Sequence, residues 1–301
     1  MKILVADDER VSRMALTGAL ENWGYEVTCV EDGTAAWAAL QAEGAPSLAI
    51  IDWMMPGMDG VDVCRKARAE LLAPYVYFIM LTSKRETAFI VQAMDAGADD
   101  FITKPFELEE LKVRVRAGRR IVALHQELER RAVMDALTGI WNRGAIMEGL
   151  DRELSRRRRS KTSVAVVMLD VDHFKRVNDT HGHPAGDQVL CEVSRRIASG
   201  LRPYDVFGRY GGEEFLIVLP QCQAEPALEV AQRLRLNVGT QPITGPFGSL
   251  DITVSVGVAL IEGDSDELAQ SLLERADAAL YRAKGEGRNR VVVSAPTPPP
   301  A

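Results

Sequence analysis

Arg209-Tyr210-Gly211-Gly212-Glu213-Glu214-Phe215, continued by Leu216-Ile217-Val218-Leu219-Pro220, sets two glycines and two carboxylates between two apolar runs. That pattern predicts a β-hairpin whose turn carries acids. Gly211 and Gly212 permit positive φ and leave a ligand free to approach the backbone. Consecutive carboxylates at a strand edge repel unless a cation or a base lies between them. The turn reads as a site as well as a bend only with the rest of the chain, since Gly-Gly turns are common and alone it more often marks a surface hairpin carrying solvated acids.

The flanking sequence repeats the theme. Upstream, Val164 to Leu169 is a buried-strand run that delivers Asp170-Val171-Asp172-His173-Phe174-Lys175 to its end. Asn178, Asp179, His181-Gly182-His183-Pro184 and Gly186-Asp187 then fall in a turn and the start of a helix expected over Gln188 to Ile197. A carboxylate accepts from guanine N1 and N2 and an amide pairs with O6 or N3, so the Asn and Asp side chains of this stretch suit guanine and not adenine. His181 and His183 lack a third ligand nearby and are read as structural. Downstream come a strand over Asp251 to Leu260, a helix over Ala276 to Ala283, and a final strand from Arg290 to Val293. Lys284 and Arg288, four apart, are expected on one side and suited to a triphosphate. Asp135-Ala-Leu-Thr-Gly-Ile-Trp-Asn-Arg143 opens this half, with Asp135 as an N-terminal anchor, and a basic helix follows. The proline-rich tail, 295–301, is expected to be disordered.

Residues 135–294 resemble the GGDEF family of diguanylate cyclases, here in a Gly-Gly-Glu-Glu-Phe form. The resemblance implies an α/β domain with a central mixed sheet, nucleotidyl-cyclase-like, that joins two GTP into cyclic di-GMP with release of pyrophosphate. It implies Asp170 and Glu214 as ligands of Mg²⁺ or Mn²⁺, with the Val171 carbonyl, and Glu213 as base or metal-site acid. Asn178 and Asp187 would recognise guanine, and the backbone at His173 and Phe174, with Lys175, Lys284 and Arg288, would hold phosphates beside Gly211 and Gly212. Arg202-x-x-Asp205, five residues before Gly211, matches the family's inhibitory product site. Arg156 and Arg233 match its secondary arginines. Because each domain binds one GTP, a homodimer is implied, the inhibited form being either a dimer or a tetramer.

Between Glu107 and Met134 the chain has no proline, one glycine (Gly118), and apolar positions Leu111, Val115, Val122, Leu124, Leu128 and Ala132 among many Arg and Glu. This predicts one long helix over 107–134, either a two-stranded coiled-coil stalk or a helix packed on its own domain. The stalk is favoured, since the apolar positions run some three turns beyond what a compact domain covers.

Residues 1–106 alternate strand and helix five times, which implies a doubly wound (βα)5 parallel sheet with ligands at the carboxyl ends of the strands. Asp7, Asp8, Asp52, Thr82 and Lys104 all fall at such ends. Gathered carboxylates need a hard cation, and Mg²⁺ with one or two carboxylates and a phosphoryl oxygen fits. Asp52 then suits a phosphoryl acceptor, Lys104 a charge partner and Thr82 a hydroxyl that reads the product. These residues, with Asp52-Trp-Met-Met-Pro-Gly-Met-Asp-Gly60 and Lys104-Pro105-Phe106, resemble the receiver domain of two-component response regulators over 1–120. The resemblance adds the Met54 carbonyl at the metal, Phe101 as a switch aromatic, and a cognate histidine kinase as partner.

A chain of 301 residues with 47% hydrophobic content supports two cores. Net charge is −7, and the acid excess sits in the first hundred residues, which disfavours nucleic acid. Cys29, Cys64, Cys191 and Cys222 form no metal-binding spacing and read as reduced thiols of a cytoplasmic protein. No signal peptide is expected at Met1, and no apolar run approaches the roughly 20 residues that span a membrane. A transcription factor is unsupported, since no helix-turn-helix follows the receiver. A silent cyclic di-GMP receptor is the main alternative, opposed by the intact acids; a relaxed enzyme also using ATP is opposed by Asp187.

Overall fold

The computed structural model describes residues 1–70, 74–83, 87–262 and 268–295; the tail from 296 onward lies outside them. The chain divides into two compact units, Met1–Arg130 and Arg131–Ala301.

In the first unit, strands β1 (Lys2–Ala6), β2 (Glu26–Val30), β3 (Leu48–Asp52), β4 (Tyr77–Thr82) and β5 (Asp100–Thr103) alternate with helices α1 (Arg10–Asn22), α2 (Gly33–Gln41), α3 (Gly60–Glu70), α4 (Thr87–Asp95) and α5 (Leu108–Val133). The strands pair in parallel in the order β2-β1-β3-β4-β5. That order reverses beside β1, so the carboxyl ends of β1 and β3 open onto a crevice. β4 is buried along its whole length, as expected of a central strand covered on both faces.

Helix α5 is continuous for 26 residues, on the order of 39 Å at 1.5 Å per residue. Its near half belongs to the first unit's core: Leu111, Val115 and Val122 are buried against β1, β3 and β4 side chains. These three are therefore not seam positions of a stalk. Gly118 explains how the helix sits so close, since a Cβ there would lie 2.6 Å from Tyr77 Cδ1 and 2.9 Å from Leu48 Cδ1. Beyond it Leu124 and Leu128 are each 63% exposed.

The second unit holds α6 (Arg143–Ser160), β6 (Val164–Val171), α7 (Phe174–His181), α8 (His183–Ala198), β7 (Val206–Gly211), β8 (Glu214–Pro220), α9 (Ala224–Gly239), a small hairpin β9 (Ile243–Gly245) and β10 (Gly248–Leu250), β11 (Val254–Ile261), α10 (Ala269–Gly285) and β12 (Val291–Val293). Its main sheet runs β12-β11-β6-β8-β7, with β11 and β12 parallel and the other pairs antiparallel. β6 is buried at all eight positions and separates two apolar layers, one under α7, α8 and α9, the other under α6 and α10.

Three local expectations change. Asn178 and Asp179 lie on α7, and α8 starts at His183 with Pro184 in its first turn, where a missing N–H costs nothing. Asp135 caps no helix; α6 is capped by Asn142, whose side chain accepts from the Ala145 N–H at 3.0 Å. α10 ends at Gly285, so Lys284 and Arg288 are not stacked one helical turn apart; Arg288 lies past the end with φ 63°.

Candidate functional site

In the first unit the strand-end acids converge. Asp7, Asp8 and Asp52 each offer a carboxylate oxygen, and these atoms lie within 4.8 Å of one another. Asp7 is wholly buried and takes the Ser12 hydroxyl at 2.6 Å and the Glu9 N–H at 2.9 Å. Lys104 Nζ reaches Asp7 Oδ2 at 2.8 Å and Asp52 Oδ2 at 3.2 Å. Burial raises the Asp52 carboxyl above its ordinary value, opposed by Lys104 and reinforced by Asp7. Burial alone would lower Lys104, but its hydrogen bond to Asp7 and the charges of Asp52 and Asp7 outweigh that and raise it. One ammonium is thus shared by two carboxylates, an arrangement of hard oxygen donors that fits a divalent cation. Thr82 is buried at the end of β4, Phe101 is half-buried on β5, and the Met54 side chain is exposed just past Asp52.

In the second unit pairing, not strand direction, assembles the acids. Asp170 and Glu214 are register partners on β6 and β8, and Gly211 pairs with Glu214 across the turn. Gly212, with φ 51°, and Glu213 form that turn. Lys284 Nζ lies 2.7 Å from Asp170 Oδ2. Burial pushes the Asp170 carboxyl up to about 6; Lys284 opposes this, while Glu213 and Glu214 add to it. Glu214 is raised too, first by burial. Asp170 and Glu214, with Glu213 next in the turn, gather acids at one sheet end, and the Val171 backbone sits beside them, its N–H donating to the Glu213 carbonyl at 3.3 Å.

Next to this cluster α7 begins without a side-chain cap: His173, its N-cap, is left-handed at φ 58°. The N–H groups of a helix start, with Lys175 in its first turn, suit an anion. Asn178 Oδ1 is buried without a hydrogen-bond partner. It fits only because residue 186 is glycine, where a Cβ would fall 1.9 Å from that oxygen. Such an amide is an orphan waiting for a donor. Asp187 is exposed in an open cleft of about 610 Å³ with Leu137, Gln188 and Cys191.

Sequence reasoning missed the role of Arg209. Its guanidinium donates to the Gly212 carbonyl at 2.9 Å and to both Asp135 oxygens at 3.2 Å, tying the acidic turn to the segment that follows α5. Although burial works the other way, the Thr138 hydrogen bonds and Arg209 hold Asp135 below its ordinary value.

The Arg202–Asp205 segment is a turn in which the Asp205 carboxylate accepts from the Arg202 backbone N–H at 2.8 Å, while the Arg202 guanidinium donates to the Tyr204 hydroxyl at 3.0 Å. Arg233 on α9 reaches the Gly200 carbonyl at 2.9 Å, close in sequence to that turn. Arg156 sits on α6 beside Glu153 at 3.2 Å, and no described hydrogen bond joins it to Arg202 or Asp205. The cysteines are free, and no described helix is long and apolar enough to cross a membrane.

A (βα)5 unit with a lysine-bridged aspartate cluster, followed by a mixed-sheet unit with acids at a hairpin turn, defines a two-domain protein of the response-regulator type. The family model for the diguanylate cyclase GGDEF domain matches residues 132–290, and that for the response regulator receiver domain matches residues 3–116. The chain belongs to the GGDEF family, with an N-terminal receiver. Response regulator PleD of Caulobacter vibrioides is 32% identical over 300 residues, 97% of this chain, and the chain spans 65% of that relative's length. Diguanylate cyclase DgcP of Pseudomonas aeruginosa is 41% identical over 175 residues, 57% of this chain and 26% of its own. Among solved structures, the coiled coil and GGDEF domain of DgcB from Caulobacter crescentus, in complex with c-di-GMP, shares 34% identity over 62% of this chain and 98% of that one, with a TM-score of 0.57.

Proposed function

We propose that the chain is a phosphorylation-activated diguanylate cyclase of a two-component system, condensing two GTP into cyclic di-GMP within a homodimer and inhibited by its product. The observation that carries this reading is the pairing of Asp170 with Glu214 beside Glu213, Lys284 and the uncapped start of α7.

In this reading Asn178 and Asp187 hold guanine, and the His173–Phe174 backbone, Lys175, Lys284 and Arg288 hold the phosphates. The 3′-oxygen of one nucleotide forms a bond to the α-phosphorus of the other, the α–β bridge bond breaks, and pyrophosphate leaves. Glu213 takes the hydroxyl proton. Asp170, Glu214 and the Val171 carbonyl would hold Mg²⁺ or Mn²⁺, which supplies Lewis acidity that polarises the α-phosphate and acidifies the hydroxyl. A second bond formed the same way closes the ring. Each domain contributes one nucleotide, so two must face each other; the exposed Ile121, Leu124 and Leu128, at spacings of three and four on α5, suit a seam between copies. Phosphorylation of Asp52 by a histidine kinase would bias how the receivers pair and so bring the two half-sites together. Arg202 and Asp205 would bind product, clamped by Arg156 and Arg233 of a neighbouring domain.

The test is to incubate the chain with GTP and Mg²⁺ and resolve the nucleotides by chromatography. Cyclic di-GMP with matching pyrophosphate is the expected result. GTP bound but unconverted would contradict the reading.

A further inference from the structure

Two turns of the second unit meet over one buried carboxylate. Asp172 is 5% exposed. Its Oδ2 accepts from the Thr253 hydroxyl at 2.7 Å and the Asn289 N–H at 3.0 Å, and its Oδ1 accepts from the Ser255 hydroxyl at 2.6 Å. Its own N–H donates to the Thr253 carbonyl at 2.9 Å. The carboxylate thus ties together the turn after β6, the start of β11 and the turn between α10 and β12.

The backbone on either side of these ties is strained. His173, Arg288 and Asn289 are all left-handed, with φ of 58°, 63° and 44°. Non-glycine residues persist there only where their surroundings over-determine them, and such places cluster at ligand sites. Asn289 is held from its other side by Arg235, whose Nη1 donates to Asn289 Oδ1 at 2.7 Å and to its carbonyl at 3.2 Å. His173 follows Asp172 directly, and Arg288 precedes Asn289. Both belong to the phosphate-holding set of the proposed GTP site, whereas Asn178 and Asp187, the guanine-holding pair, make no described bond to Asp172.

We infer that Asp172 is the positioning residue for the triphosphate half of that site, an inference resting on its reading as a GTP site. Without touching nucleotide, the carboxylate fixes the separation between the uncapped start of α7 and Arg288. Its loss frees the two turns from each other and leaves the guanine pocket, built by the packing of α7 on α8, in place.

Equilibrium binding of GTP and of GMP, each with Mg²⁺, to the full chain carrying Asp172→Ala, Asp172→Asn or Thr253→Val tests this. Asp172→Ala leaves the Asn289 N–H without an acceptor, and GTP binding is expected to weaken about tenfold while GMP binding stays within about twofold. Asp172→Asn is expected to recover most of the loss, because its carbonyl can serve Thr253 and Asn289 while its NH₂ donates to the Ser255 oxygen. Thr253→Val removes one donor without removing volume; it is expected to shift the GTP-to-GMP ratio in the same direction by about threefold, and it carries the test if the alanine variant does not fold. Equal weakening of GTP and GMP in folded variants, or no change in either, overturns the inference. Failure of the unsubstituted chain to bind GTP at all overturns instead the reading on which it rests.

Discussion

The two acidic clusters solve one problem with opposite topologies. In the first unit Asp7, Asp8, Asp52 and Lys104 come from the ends of three parallel strands, and the sheet's common polarity alone brings them together. In the second, Asp170 and Glu214 meet as direct partners on antiparallel strands, and the lysine arrives from the end of a helix. Lys104 bridges two carboxylates, whereas Lys284 contacts only Asp170 among the described ion pairs. Both clusters set three carboxylates against one lysine, and they differ in that the first ammonium is shared by two of the acids while the second is held by one. The second leaves Glu213 and Glu214 as surplus charge beside a carboxyl lifted to about 6.

The largest expected effect falls on the second cluster. Asp170→Asn should lower cyclic di-GMP formation by about 10³-fold, read as initial rate, because it removes an anionic ligand of the cation proposed to polarise the α-phosphate. A rate within tenfold of the unsubstituted chain would break the comparison. Next, Lys104→Met leaves Asp7 and Asp52 buried without their shared ammonium, and should destabilise the first unit by about 3 kcal/mol in chelator, with Mg²⁺ restoring part of it. Denaturant midpoints check this; an unchanged midpoint would mean that the acids do not need the lysine.

Gly118→Ala sharpens the same contrast by loosening the frame rather than the site. Its Cβ would meet the Tyr77 ring and Leu48, and overpacking should cost about 1–3 kcal/mol, seen in the first unit's melting and not in the second's. The smallest effect is with pH. In chelator, native Asp170 keeps a proton up to about 6 while the unfolded chain releases it near 3.8. Between these values the native state binds more protons, so this carboxyl's contribution to stability falls as pH rises. Asp170→Asn should flatten that decline in melting temperature by a few degrees, on the order expected for a domain of this size. An identical pH profile in both proteins would remove the buried carboxyl from the account.

The parallel half was legible because its chemistry obeys a rule of position. Asp7, Asp52, Thr82 and Lys104 could be gathered from the chain simply as strand ends. Where tertiary packing overrides local pattern, legibility stops. Leu111, Val115 and Val122 have the spacing of a coiled-coil seam, yet Gly118 lets α5 sink onto the sheet and take them into a core. Lys284 and Arg288 have helical spacing, but the helix stops at Gly285, and Arg288 and Asn289 are left-handed in the turn before β12. Arg209 and Asp172 were invisible as functional residues because their partners, Asp135 for one and Thr253, Ser255 and Asn289 for the other, lie 74 and 81 to 117 positions away. No periodicity encodes such contacts.

The most direct test compares the unsubstituted chain with Asp52→Asn and Asp170→Asn, each given GTP and Mg²⁺ with and without beryllofluoride as a phosphoryl mimic, scored by cyclic di-GMP formed per minute. The account predicts stimulation of the unsubstituted chain, an unstimulated basal rate for Asp52→Asn, and almost no product from Asp170→Asn. Stimulation that survives in Asp52→Asn, or product made at an undiminished rate by Asp170→Asn, would contradict it.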